Sequence, residues 1–265
     1  MRACLFVMLL SACGDNLIVP TDAIADAPPD VALDAETPDM LTPPSGCESD
    51  SVSAIQAGNP GSDPNAYPAA GWWSDDTRTN GTVVVDDTIA PPDAFGCSSA
   101  KLTTGATTAS PSQDKAQLIT FALAGTNLST INTISYWAYR ASASTGGPAI
   151  DLAINVSVTG TTVPGNFATL VYEPYQQSTG NAGIVVDTWQ QWNATATTVG
   201  DGLWWTNKIA NPAPGSQASP QPWVAFQALY TDAKVLGYGF NVGSFNPDMI
   251  LAGDGLVFGS TTTDF

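Results

Sequence analysis

The stretch Ala149-Ile150-Asp151-Leu152-Ala153-Ile154-Asn155-Val156-Ser157-Val158-Thr159 decides the fold class. Ile150, Leu152, Ile154, Val156 and Val158 alternate with Asp151, Ala153, Asn155, Ser157 and Thr159. Successive side chains of a strand project to opposite faces, so this period of two predicts a strand with one buried and one wet face. Upstream, Ile134 to Arg140 reads as a second strand, with Trp137 and Tyr139 on one face and Tyr136 and Arg140 on the other. Downstream, Ala168 to Tyr172 reads as a third, stopped by Pro174. Gln117 to Leu123, Gly183 to Trp192, Leu236 to Val242 and Gly253 to Phe258 read as further strands, with shorter candidates at Val83-Val84-Val85 and Lys101-Leu102-Thr103. Turn signals separate them: Gly146-Gly147-Pro148, Pro164-Gly165-Asn166, Gly180-Asn181 and Gly200-Asp201-Gly202. Many short strands at this spacing predict a sandwich or jelly roll. One helix is expected, with Pro222 in its first turn and Phe226, Leu229 and Tyr230 repeating at helical spacing as far as Ala233.

Several aromatic motifs follow in order: Ser135-Tyr136-Trp137-Ala138-Tyr139-Arg140, Thr169-Leu170-Val171-Tyr172-Glu173-Pro174, Trp189-Gln190-Gln191-Trp192, Trp204-Trp205 and Gly237-Tyr238-Gly239-Phe240-Asn241-Val242-Gly243-Ser244. Asp254-Gly255-Leu256-Val257-Phe258-Gly259 and Asp264-Phe265 close the series. This order, from about residue 70 to 265, resembles a group of secreted bacterial jelly-roll proteins of largely uncharacterised function. Their architecture is similar to concanavalin-like and galactose-binding-like sandwiches. The resemblance implies the architecture and no activity, since one such fold hosts many functions.

The first residues carry an address. Met1-Arg2-Ala3-Cys4 is followed by the apolar run Leu5 to Leu10, a secretory signal too short to span a bilayer. It ends in Leu10-Ser11-Ala12-Cys13, which resembles the lipobox of bacterial lipoproteins, with Cys13 as the lipidated residue. Acyl chains there would anchor the protein to membrane lipid. Gly14 rather than an acid follows Cys13, which as the lipoprotein resemblance implies points to the outer membrane or cell surface. From Gly14 to Gly46 the chain holds seven acids, six prolines, no base and no aromatic residue. Such a stretch buries too little apolar surface to offset its ordering entropy and stays extended. The predicted organisation is a signal peptide at 1–12, a lipidated cysteine and disordered acidic tether at 13–46, and a folded domain at 47–265. Cys47 and Cys97 are then the two cysteines left in an oxidising compartment, and they are expected to pair. The fold class read from the sequence is all-β: an antiparallel sandwich of jelly-roll type with one short helix, preceded by the tether.

Composition excludes several functions. With 24 acidic residues against 7 basic ones, the net charge of −17 opposes nucleic-acid binding. The absence of histidine removes Ser-His-Asp and Cys-His machinery in cis. From Ser51 onward Glu173 is the one glutamate. A glycosidase needs two carboxylates facing one sugar. Asp151 and Asp187 are conceivable partners for Glu173, but nothing in the sequence fixes either at a set distance. The chain is therefore expected to be non-catalytic. Loop aspartates suit calcium chemistry, but no EF-hand loop is present, so no cofactor and no particular metal site is assigned.

All eight tryptophans lie beyond residue 70, and strand parity sends one ring of each Trp-Trp pair inward and the other outward. An outward indole suits the apolar face of a sugar, with amide or carboxylate neighbours meeting its hydroxyls. Trp72, Trp73, Trp189, Trp192, Trp204 and Trp205, with Asp75 and Asn207, are the candidate ligand-binding residues. The expected function is a lipid-anchored extracytoplasmic module binding a glycan, or else a partner protein. The alternatives are a non-catalytic structural envelope lipoprotein and, third, a secreted polysaccharide hydrolase.

Overall fold

The computed structural model describes residues 52, 54–57, 71–74, 76–106, 114–144, 151–158, 166–243 and 246–265. All belong to one compact unit, Pro44–Phe265. The expected signal peptide, Cys13, the tether, Cys47 and Asp75 lie outside the described residues.

Of the alternating stretch, Asp151–Ser157 forms strand β7, and Ala149, Ile150 and Thr159 lie outside the described residues. Leu152, Ile154 and Val156 are buried as expected. Around it the described residues form fourteen strands in two sheets and one α-helix. The large sheet contains β1 (Gln56–Ala57), β2 (Trp72–Ser74), β5 (Ala116–Thr120), β12 (Lys234–Val242), β7, β8 (Phe167–Tyr172), β10 (Leu203–Trp205) and β11 (Gln221–Pro222), in that spatial order. The small sheet contains β3 (Thr82–Asp86), β4 (Ser99–Thr103), β13 (Ile250–Phe258), β6 (Ile134–Arg140) and β9 (Gln190–Asn193), and β14 (Thr261–Thr263) pairs with β13. Every ladder is antiparallel except the parallel contact of β1 with β2.

The inner faces of the two sheets close over one aromatic core, so the described chain is an all-β sandwich. Tyr238 of β12 stacks on Phe258 of β13 with centroids 3.9 Å apart and planes 9° apart. Tyr136 of β6 meets Phe240 of β12 at 5.6 Å and Tyr172 of β8 at 6.2 Å. Gly253 sits against this cluster, where an added Cβ would lie 2.7 Å from the Phe240 ring.

Three expectations need correction. Gly183 to Trp192 is not a continuous strand: a 3-10 turn covers Gly180–Gly183, Asp187 adopts a left-handed φ of 54°, and pairing begins only at Gln190. The helix α1 is shorter, Trp223–Leu229, with Pro222 at its N-cap. Phe226 and Tyr230 are buried as the spacing predicts, but Leu229 is 54% exposed. The outward face of β7 is not wet at its start, because Asp151 and Ala153 are both buried. Parity fixes the side a residue faces and leaves open whether that side is covered.

Candidate functional site

The outward face of the large sheet carries the most unusual chemistry. Register defines it. Trp73 pairs with Ile119, Ile119 with Gly239, Gly239 with Ala153, Ala153 with Val171 and Val171 with Trp205. That row crosses six strands and ends in a tryptophan on each side. Five strand spacings make it about 24 Å long. Its centre is buried, while Trp73 and Trp205 are half-buried.

A second row runs beside it. Gln117 pairs with Asn241, and Asn241 with Asp151. Leu152 pairs with Tyr172, so Asp151 stands opposite Glu173 just past the end of β8. The two acids are 22 residues apart in sequence and neighbours in space. Asp151 is 6% and Glu173 8% exposed. Burial pushes the Asp151 carboxyl well above the ordinary carboxylate range, and the charge of Glu173 pushes it further. Burial also raises Glu173, and hydrogen bonds from Tyr175, Trp205 and Gln217 oppose that rise. The Trp205 indole donates Nε1–H to Glu173 Oε2 at 2.7 Å, and Gln176 Nε2 donates to the same oxygen at 2.7 Å. Gln177 Nε2 donates to the Glu173 carbonyl at 2.9 Å, and its Oε1 accepts from the Leu203 amide. The loop after β8 is thereby tied to β10. The Tyr175 hydroxyl, pushed up to about 12 chiefly by burial, stays protonated beside this pair.

Three buried polar atoms without hydrogen-bond partners among the described residues are spread along this face, on β2, on β12 and in the turn after β8. Trp73 Nε1, Asn241 Oδ1 and Gln176 Oε1 are buried and unpartnered among the described residues. Buried polar groups are almost always satisfied in folded proteins, so each of these atoms calls for a partner from a ligand or water.

The predicted site residues divide sharply. Trp72 and Trp204 are core rings and present no face to a ligand: Trp72 packs edge-on against Phe265 at 4.8 Å, and Trp204 donates to the Ala194 carbonyl and lies 4.9 Å from Trp223. Their neighbours Trp73 and Trp205 face outward, as parity requires. Trp192 faces inward opposite Tyr136 and packs on the core. Trp189 lies on the outward side of the small sheet, 5.7 Å from Tyr139, with its Nε1–H on the Ala90 carbonyl. Asn207 is exposed in the loop after β10. Cys97 is half-buried just before β4. Asp187 lies far from Glu173 in the pairing scheme, accepting from the Ser142 amide and the Tyr139 hydroxyl beside the small sheet. Asp151 and Asn241 joined the site without any local motif; the β7–β8 and β7–β12 registers alone bring them there.

Among the described residues no three acidic, histidine or cysteine side chains gather as a metal cluster. No helix among them is long and apolar enough to cross a membrane. Comparison with protein-family models, with curated proteins and with solved structures finds no match.

Proposed function

We propose that the chain is a lipid-anchored extracytoplasmic module, non-catalytic, that binds a glycan on the outward face of its large sheet. Cys13 supplies the anchor to the outer membrane or cell surface, the acidic segment to Gly46 supplies the reach, and a Cys47–Cys97 bridge closes the base of the domain. The architecture in this reading is a jelly roll. Its support is the strand order: taking β4, β5, β6, β7, β8, β9, β12 and β13 as first to eighth, one sheet runs 1-8-3-6 and the other 2-7-4-5. That is the interleaving of two Greek keys wrapped together.

The observation that carries the glycan reading is the pair of unsatisfied buried groups beside the outward tryptophans. Trp73 Nε1–H needs an acceptor, and Gln176 Oε1 needs a donor. A hydroxyl is both at once, so a polyhydroxylated ligand answers both demands on one surface. Trp205, held by Glu173, and Trp73 supply rigid apolar faces for sugar rings.

The test is affinity electrophoresis of the full chain through a panel of cell-wall, capsular and plant polysaccharides. At least one should retard it, and Trp73→Ala should weaken that retardation at least tenfold while leaving the far-ultraviolet circular dichroism unchanged. If no polysaccharide retards the wild type, the glycan reading fails. Concentration-dependent self-association in size-exclusion chromatography would then favour a structural envelope role.

A further inference from the structure

We propose that β3 is a docking edge for a second copy of this chain, the two β3 strands pairing antiparallel about a twofold axis at Val84. The inference does not rest on the glycan reading, because β3 borders the small sheet and its readout is self-association.

Three observations meet on this strand. First, β3 ends the small sheet, and its ladder with β4 is its one pairing among the described residues. No backbone hydrogen bond among them reaches its other side. Second, the edge lacks the usual defences. Thr82-Val83-Val84-Val85-Asp86 has four β-branched residues in succession and neither lysine nor proline. Its ladder runs from Thr82–Thr103 to Asp86–Ser99 without a bulge. The one charge on the strand, Asp86, is answered by Lys101 of β4 at 3.1 Å. Short length, lysine, proline or a bulge is what normally keeps an edge from pairing. Third, its valines are incompletely covered. Val83 and Val85 pair with Leu102 and Ala100, which are fully buried on the core face, yet both valines are only half-buried. Val84, on the opposite face, is 43% exposed. A further strand beside β3 covers both faces at once.

The strand is complementary to itself in one orientation. In antiparallel pairing about Val84, Val84 opposes the partner's Val84, Val83 opposes the partner's Val85, and Thr82 opposes the partner's Asp86. Valines then meet on both faces, and each carboxylate faces a threonine. Parallel pairing in register would set Asp86 beside the partner's Asp86, and like charges directly opposite are destabilising. A twofold contact of this kind uses the same strand from both copies, so it closes at a dimer instead of growing into a filament. Area sets its strength. A contact centred on five paired residues falls below the about 1,200 Å² of a stable interface, so the dimer is weak and concentration-dependent. The net charge of −17 on each copy opposes the approach, so salt favours the dimer.

The experiment is sedimentation equilibrium of the full chain from about 10 μM to about 1 mM, the range of weak transient pairs. The average mass should rise towards that of a dimer and no further, more steeply in about 0.5 M than in about 0.05 M sodium chloride. Val84→Lys, which sets two like charges against each other on the axis, should weaken the association about tenfold at unchanged far-ultraviolet circular dichroism. Directly opposed Cβ atoms lie about 4.5–5.5 Å apart, so Val84→Cys should give a covalent dimer under mild copper–phenanthroline oxidation. Thr82→Cys, about 13 Å from its own counterpart in this register, should not. The wild type, oxidised alongside, sets the baseline from the native cysteines. The proposal is overturned if the wild type stays monomeric throughout. It is overturned equally if Val84→Lys associates as the wild type does, which places the contact on another surface such as Phe167–Leu170 of β8. Cysteine variants that crosslink equally, or not above the baseline, overturn it as well. Should Val84→Lys fail to fold, the two cysteine variants decide.

Discussion

The indole N–H of Trp205 goes to a carboxylate that no lysine or arginine approaches among the described residues. A hydrogen bond to a charged acceptor contributes more than a neutral one, and removing the donor leaves the acceptor underpaid in its solvation. Trp205→Phe keeps most of the ring and deletes this donor. It should cost about 1–3 kcal/mol, read as a lower urea midpoint at unchanged m-value. An unchanged midpoint would mean that Tyr175 and Gln217 already satisfy Glu173. Much at this scale was readable from parity. The Trp-Trp pairs announced one inward and one outward ring each, and Trp72/Trp73 and Trp204/Trp205 divide that way. The burial of Asp151 was not readable. It sits on the outward parity of an amphipathic strand, and only the register with Glu173 and Asn241 turns a solvated acid into part of a buried row.

At the scale of elements, β13 has two edge partners in succession. It pairs with β4 over Ile250–Gly253, is displaced at a bulge between Asp254 and Val257, then pairs with β14 over Leu256–Phe258. The bulge is held by buried Asp254, whose Oδ1 accepts from the amides of Gly255 at 2.6 Å and Phe265 at 3.1 Å. The Phe265 ring then inserts between Trp72 at 4.8 Å and Phe240 at 5.8 Å. Deleting Thr261–Phe265 therefore removes a strand, a fully buried ring and one partner of a buried carboxylate together. Loss of the ring alone costs about 3–5 kcal/mol. Chemical denaturation should show at least that loss, and a truncated chain with the wild-type midpoint would contradict this packing. Strong alternation made β6, β7 and β8 legible as strands, because each buries one face under a full neighbouring sheet. It misled at Gly183 to Trp192, where Ile184, Val185 and Val186 look like strand residues. Val185 and Val186 are exposed, and the left-handed turn at Asp187 carries the chain to β9. The two-residue strands β1 and β11 have no pattern long enough to read.

Over the whole molecule the net charge of −17 is uneven. Seven acids lie between Gly14 and Gly46 with no base, and the chain from Ser51 onward carries 15 acids against 6 bases. In the proposed organisation this self-repulsion falls outside the sandwich, where it would extend a tether instead of straining a core. The expected Cys47–Cys97 bridge would close a loop of about 50 residues and contribute about 4 kcal/mol through the unfolded chain. Thiol-specific alkylation before and after reduction should detect it by mass, and reduction should lower the denaturation midpoint accordingly. A free, alkylatable Cys97 in the native protein would refute the pairing. The borders of the large sheet bear on a different hazard. Its outermost strands are β1, of two residues, and β11, of two residues including Pro222. A foreign strand finds little backbone on β1 or β11 themselves, since short edges and proline are the usual defence against edge-to-edge aggregation, but β10 covers only Val171 and Tyr172 of β8, and Phe167–Leu170 have no ladder partner on that side among the described residues. On this border the opening left for a strand of a second copy, among the described residues, is therefore Phe167–Leu170 of β8.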